Sequence, residues 1–174
     1  MSVKILLALL LTVIFLPGPA FGKITPADIV NSNNQAYQDR IKSYSPKNQQ
    51  SLDNLQQKIA QINKIRTDQL EAIALVQGEI LDEYIKRKGV IEQQHDGVHR
   101  DLSNPVEKAR YWITFAHEAV AYQAAKIYIP NLTSQANIKS DSNNTVSQFQ
   151  SELEYARGTV IKSQKVLDDL LKND

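Results

Sequence analysis

The stretch from Pro46 to Lys88 constrains the fold more than any other, because it reads as one helix of 43 residues, about 64 Å long at 1.5 Å per residue. Ser45 stands as N-cap with Pro46 at the first helical position. Lys86, Arg87 and Lys88 suit the negative end of the helix dipole, and Gly89 supplies a left-handed stop. Leu52, Leu55, Ile59 and Ile62 recur at alternating spacings of three and four, and Ile73, Val76 and Ile80 resume that register, with Tyr84 closing the face. A chain holding such a seam must supply other helices to cover it.

Three further helices are expected. Thr25-Pro26-Ala27-Asp28 is a good helix start and opens a shorter helix from Pro26 to Tyr44. Tyr44-Ser45-Pro46 then permits either a hairpin or a kinked continuation. Asn104-Pro105-Val106-Glu107 opens a second, in which Val106, Ala109, Ile113, Ala116, Val120 and Ile127 form a face around Gln123. Trp112, Phe115, Ala119 and Tyr122 widen it enough to touch two neighbours. This helix is expected to reach Ile129, with Pro130 kinking or ending it and a short helical piece continuing to about Ile138. After a polar linker over Ser140 to Asn144, a last helix runs from Thr145 to Leu171 on a regular seam that includes Phe149, Leu153, Ala156, Val160, Ser163 and Leu167. The expected fold is therefore all-α, an antiparallel helical bundle of three long helices and a shorter N-terminal one with coiled-coil-like packing.

The seam of the long helix has a gap, since the heptad positions after Ile62 are Arg66 and Gln69. One reading is that the stripe drifts around the helix and Ile65 and Leu70 take over, as a 3.6-residue period allows. The other is a buried polar layer that fixes register or meets a ligand.

The N-terminus sets the address. Lys4, the apolar run Ile5 to Leu16 and the small residues Ala20 and Gly22 read as a signal peptide over residues 1–22, cleaved after Gly22. The run is shorter than the ~20 residues a membrane-spanning helix needs. A single domain, residues 23–174, is expected after cleavage, periplasmic or extracellular and not inserted in a membrane. With no cysteine, it has no disulfide, thiolate metal site or thiol nucleophile. Lys4 is the one charged residue of the leader, so the rest carries 19 basic and 19 acidic side chains. That balance offers no global field for nucleic acid or anionic lipid.

Candidate chemistry is sparse. His95 and His99 would share a face at i and i+4 if their segment were helical, with Asp96 or Asp101 nearby as an oxygen ligand for a divalent ion. Gly97 opposes a helix there, and no HExxH pattern is formed. His117 and Glu118 lie within a buried-looking stripe, where a histidine held by a neighbour is commoner than a ligand. Sequons at Asn131 and Asn143 occur at about the frequency chance gives. No phosphate loop, nucleophile elbow or internal repeat is found.

Two functions follow as expectations. The first is an exported, non-catalytic bundle without a cofactor that acts as an interaction, adaptor or sensor-like module and binds another protein or a second copy of itself. The second is a divalent-metal-binding bundle using His95, His99 and Asp96. The expected partners of the long helix are too short to cover it, which leaves the Leu52, Leu55 and Ile59 end thinly covered and makes it the expected docking site for a second chain or partner, unless a helix continuing through Pro130 covers it.

Overall fold

The structure is a computed structural model that describes residues 26–89 and 102–172, with side chains from residue 34 onward. Met1–Ser32 and Asn33–Asp174 are separate units, and the bundle is the second. Four α-helices are described: α1 (Pro26–Ile41), α2 (Pro46–Lys88), α3 (Pro105–Ala124) and α4 (Ile138–Lys172), with a 3₁₀ turn at Gln135–Asn137 ahead of the last. The fold is an all-α bundle with no strand among the described residues.

The caps are those the sequence calls for. Ser45 accepts from the Asn48 amide, and Gly89 takes φ 63°, sending its own amide back to the carbonyls of Ile85 and Lys86. Asn104 Oδ1 accepts from the amides of Val106 at 2.9 Å and Glu107 at 3.3 Å. These side chains satisfy amides that the first helical turn leaves without partners.

Going from Asn63 to Glu71 along α2, the bonded partner on α3 falls from Gln123 to His117, so the chain direction reverses between these helices. Going from Ile59 to Gln77, the partner on α4 rises from Phe149 to Ser163, so α2 and α4 run in the same direction.

The helix boundaries differ from expectation around Pro130. α3 stops at Ala124, and Lys126–Ser134 is non-helical. A helix through Pro130 would lose a hydrogen bond and set the ring against the carbonyl of Lys126, and Ile129 is biased toward extended geometry. Nine residues of extended chain span up to ~30 Å, about the length of the 20-residue α3 itself. Together they run the length of α2. Conversely, α4 begins seven residues before Thr145. The polar stretch expected to be a linker is helical because its polar groups have partners: Asp141 Oδ2 accepts from the Thr133 amide at 2.7 Å and hydroxyl at 3.0 Å, and the buried Thr145 hydroxyl bonds the Asp141 carbonyl.

This arrangement removes the uncovered end. Leu52 is 1% exposed and packs with Tyr37, Ile41, Tyr44 and Leu132, and Ile59 is 4% exposed and packs with Tyr128 and Phe149, with Leu55 against them. Leu52, Leu55 and Ile59 are part of the chain's own core, so the expected partner site at this end lacks the exposed surface it needs. The cover comes from Tyr37, Ile41 and Tyr44, from Tyr128 and Leu132 of the non-helical segment, and from Phe149 of α4.

The register of α2 also departs from a strict heptad. Its inward positions are Leu52, Ile59, Asn63, Thr67, Ala74, Gln77, Leu81, Tyr84 and Ile85, with Leu70 half-buried against Ala116, Val120 and Val160. Three consecutive steps of four, from Leu55 through Ile59 and Asn63 to Thr67, advance the seam by one residue relative to three-four alternation. Leu52 to Asn63 and Asn63 to Ala74 are two successive 11-residue spacings, 22 residues in place of 21, which shift the heptad register by that one residue. Leu70 takes over as the drift reading has it, but Ile65 does not. Asn63 and Thr67 fill the gap, while Arg66 and Gln69 lie on the surface and bond each other at 3.1 Å.

Candidate functional site

Among the described residues, two polar constellations and one exposed apolar stripe follow from that register. The first lies where α3 ends. Asn63 on α2 points inward because of the stutter, and its Nδ2 donates to the Gln123 carbonyl at 2.9 Å. Gln123 Nε2 donates to Asn63 Oδ1 at 2.9 Å and to the Tyr128 hydroxyl at 2.8 Å. The Tyr128 hydroxyl donates to Glu152 Oε2 at 2.6 Å, which also receives Lys126 Nζ at 2.8 Å, and Gln148 donates to Oε1 at 3.1 Å. One C-terminal carbonyl of α3 is thus capped by a side chain from another helix.

Electrostatics fix the protonation states of this network. Burial pulls the Glu152 carboxyl upward, but hydrogen bonds from Lys126, Tyr128 and Gln148 outweigh it and hold the group below the ordinary carboxylate value. Burial and the bond to Glu152 push the Tyr128 phenol well above its usual range. The result is an ionised carboxylate, a neutral phenol and an amide that is not a proton carrier. Such a chain clamps Lys126–Ser134 to three helices and does not relay protons.

The second is Gln77 on α2, only 1% exposed. Its Oε1 accepts from the Ser163 hydroxyl at 2.5 Å, and its Nε2 donates to Gln164 Oε1 at 3.1 Å and to the Val160 carbonyl at 3.3 Å. This too is a closed structural pair.

The third is a surface. With Ala74, Gln77 and Leu81 turned inward, Ile62, Ile65, Ile73, Val76 and Ile80 face out, between 36% and 52% exposed. They fall at helical spacings of three and four, with Gln69 in the middle, and form one apolar stripe along α2 beside the core face.

His95, Asp96 and His99 lie outside the described residues. His117, which the sequence places beside Glu118, instead bonds Glu71 of α2 through Nδ1 at 2.9 Å. Among the described residues, no three His, Cys, Asp or Glu side chains are grouped to hold a metal ion, and no helix is long and apolar enough to cross a membrane. The polar layers at Asn63–Gln123 and Gln77–Ser163 had a sequence signal, since each is a polar residue at an inward position of a helical face. The missed step was the one-residue shift of register in α2. No family model, curated protein or solved structure matches the chain.

Proposed function

We propose that this is an exported, non-catalytic helical-bundle protein that works as an interaction module, and that it binds through the outward face of α2. The observation that carries this reading is the stripe Ile62, Ile65, Ile73, Val76 and Ile80 on a helix whose other apolar face is already buried. Scattered apolar residues on a surface need no explanation, but a contiguous line of them exposes on the order of 400 Å², the size of the largest patch on a typical monomer, which is often functional. Export is supported by the leader-like residues 1–22. The polar clusters support a scaffold role, because their hydrogen-bonding groups are spent on holding helices together.

A photo-crosslinking residue in place of Ile73, in the chain expressed in its own cell, tests this. Adducts of defined mass are expected from position 73 and none from a control at Lys64, which lies off the stripe. Absence of any adduct at 73 overturns the proposal.

A further inference from the structure

We infer that the occupant of the α2 stripe is a second copy of this chain, with the two α2 helices antiparallel about a two-fold axis beside residue 71. This rests on the proposal that the stripe is a contact surface, and adds what it contacts.

The inference comes from the order of residues along the stripe. A two-fold interface is self-complementary, so each residue must suit the one at an equal distance on the other side of the axis. The pairs Ile62–Ile80, Ile65–Val76 and Gln69–Ile73 share a midpoint at about residue 71. An antiparallel pairing therefore sets apolar side chains against apolar side chains at both ends of the stripe, with the single amide near the centre.

The flanking charges choose the same direction. Lys58 lies one turn before Ile62, Glu83 lies just beyond Ile80, and both are exposed on one flank of the stripe. Their midpoint coincides with that of the apolar pairs. Antiparallel helices pair residues of the same flank, which places each Lys58 against Glu83 of the other copy. Parallel helices pair residues of opposite flanks, so that arrangement would leave Lys58 and Glu83 on the same flank without this ion pair.

Two stripes bring together about 800 Å² of apolar surface, and with their polar flanks the contact falls in the small, reversible class of specific interfaces, below about 1,200 Å². The contact is about 28 Å long at 1.5 Å per residue from Ile62 to Ile80.

The cysteine-free chain makes the geometry testable by chemistry as well as by mass. The full chain, purified as its cell processes it, is expected to sediment as a dimer. Ile73→Glu with Val76→Glu is expected to weaken association by about 100-fold or more with unchanged helical circular dichroism. Lys58→Glu alone is expected to weaken it about threefold to tenfold, and Glu83→Lys added to it is expected to restore it.

With a short bis-maleimide, the variant combining Lys58→Cys and Glu83→Cys is expected to give covalent dimers, and neither single variant is. The two positions lie about 37 Å apart on one helix, so the reagent cannot join them within a chain. Crosslinking of the single variants would overturn the antiparallel arrangement. A strictly monomeric chain at several hundred micromolar would overturn self-association. Adducts from position 73 to a different protein would then leave the interaction reading standing, and their absence would remove both.

Discussion

Gln123 occupies a buried position on α3 that an aliphatic residue would fill in an ordinary seam, and its neighbours explain the amide. It receives and returns hydrogen bonds with Asn63 and donates to Tyr128. Gln123→Leu would leave Asn63 Oδ1 buried without its donor. It is expected to lower stability by about 1–3 kcal/mol in urea denaturation, and Asn63→Leu added to it is expected to recover part of that loss. Tyr37 poses the opposite case. Its hydroxyl is buried and finds no hydrogen-bond partner among the described residues, and burial, with a smaller contribution from the charge of Asp53, raises its phenol to about 12 from an ordinary 10.0. A pKa raised on folding means stability that is complete below the unfolded value and lost as pH climbs toward the folded one. Stability is therefore expected to fall between about pH 10 and 12, less steeply in Tyr37→Phe, and that variant at neutral pH is expected to equal the parent or exceed it by up to about 1 kcal/mol. Neither position could be read from the chain alone: Gln123 was visible as a polar residue on an apolar face, but its partner depended on which way Asn63 pointed.

Periodicity serves the helices unequally. For α4 the expected seam and the observed one coincide at Phe149, Ala156, Val160, Ser163 and Leu167, because three-four alternation holds without interruption. In α2 the same rule succeeds at Leu52 and Ile59 and fails at Ile62, Ile73, Val76 and Ile80, each displaced by one residue from its buried neighbour. The physical reason is that a helix turns every 3.6 residues, so apolar residues on both of two adjacent faces offer two registers, and only the packing of α3 and α4 decides between them. Adjacent residues distinguish the two registers directly. Leu81→Ala is expected to cost about 2–4 kcal/mol, whereas Ile80→Gln is expected to change the unfolding free energy of the dilute monomer by no more than about 0.5 kcal/mol. Equal costs would mean the assigned face is wrong. The ends of α2 were legible from Ser45, Pro46 and Gly89, and the start of α3 from Asn104 and Pro105, since caps are local chemistry. The end of α3 was not, because the group that caps it comes from sixty residues away, and the start of α4 was hidden by polar residues whose partners lie in the preceding segment.

Across the bundle, the core alternates apolar bands with polar ones. Leu81, Val106, Ile113 and Leu167 fill one end; Ala116, Val120 and Val160 fill the middle; Ile59, Tyr128 and Phe149, then Leu52 and Leu132, fill the other. Between them sit the pairs Gln77–Ser163 and Asn63–Gln123. Ser163→Ala alone is expected to lower stability by about 1–3 kcal/mol, because it strips the Gln77 oxygen of its donor; Ser163→Ala with Gln77→Leu is expected to return most of it, as measured by urea denaturation. The all-helical bundle was legible because seams and caps recur through the described helices, while the banding required knowing which faces meet. These bands limit how the molecule can respond to a load or a ligand. Sliding α4 past α2 by one heptad in either direction would bring Gln77 level with Leu170 or Ala156 instead of Ser163, leaving a buried amide with nothing to bond. Each band acts as a key in a slot, and shear between helices must break every key at once. A signal arriving at one end of this bundle would therefore travel as the tilt or displacement of a rigid strut about 64 Å long, not as a shift of one helix along another.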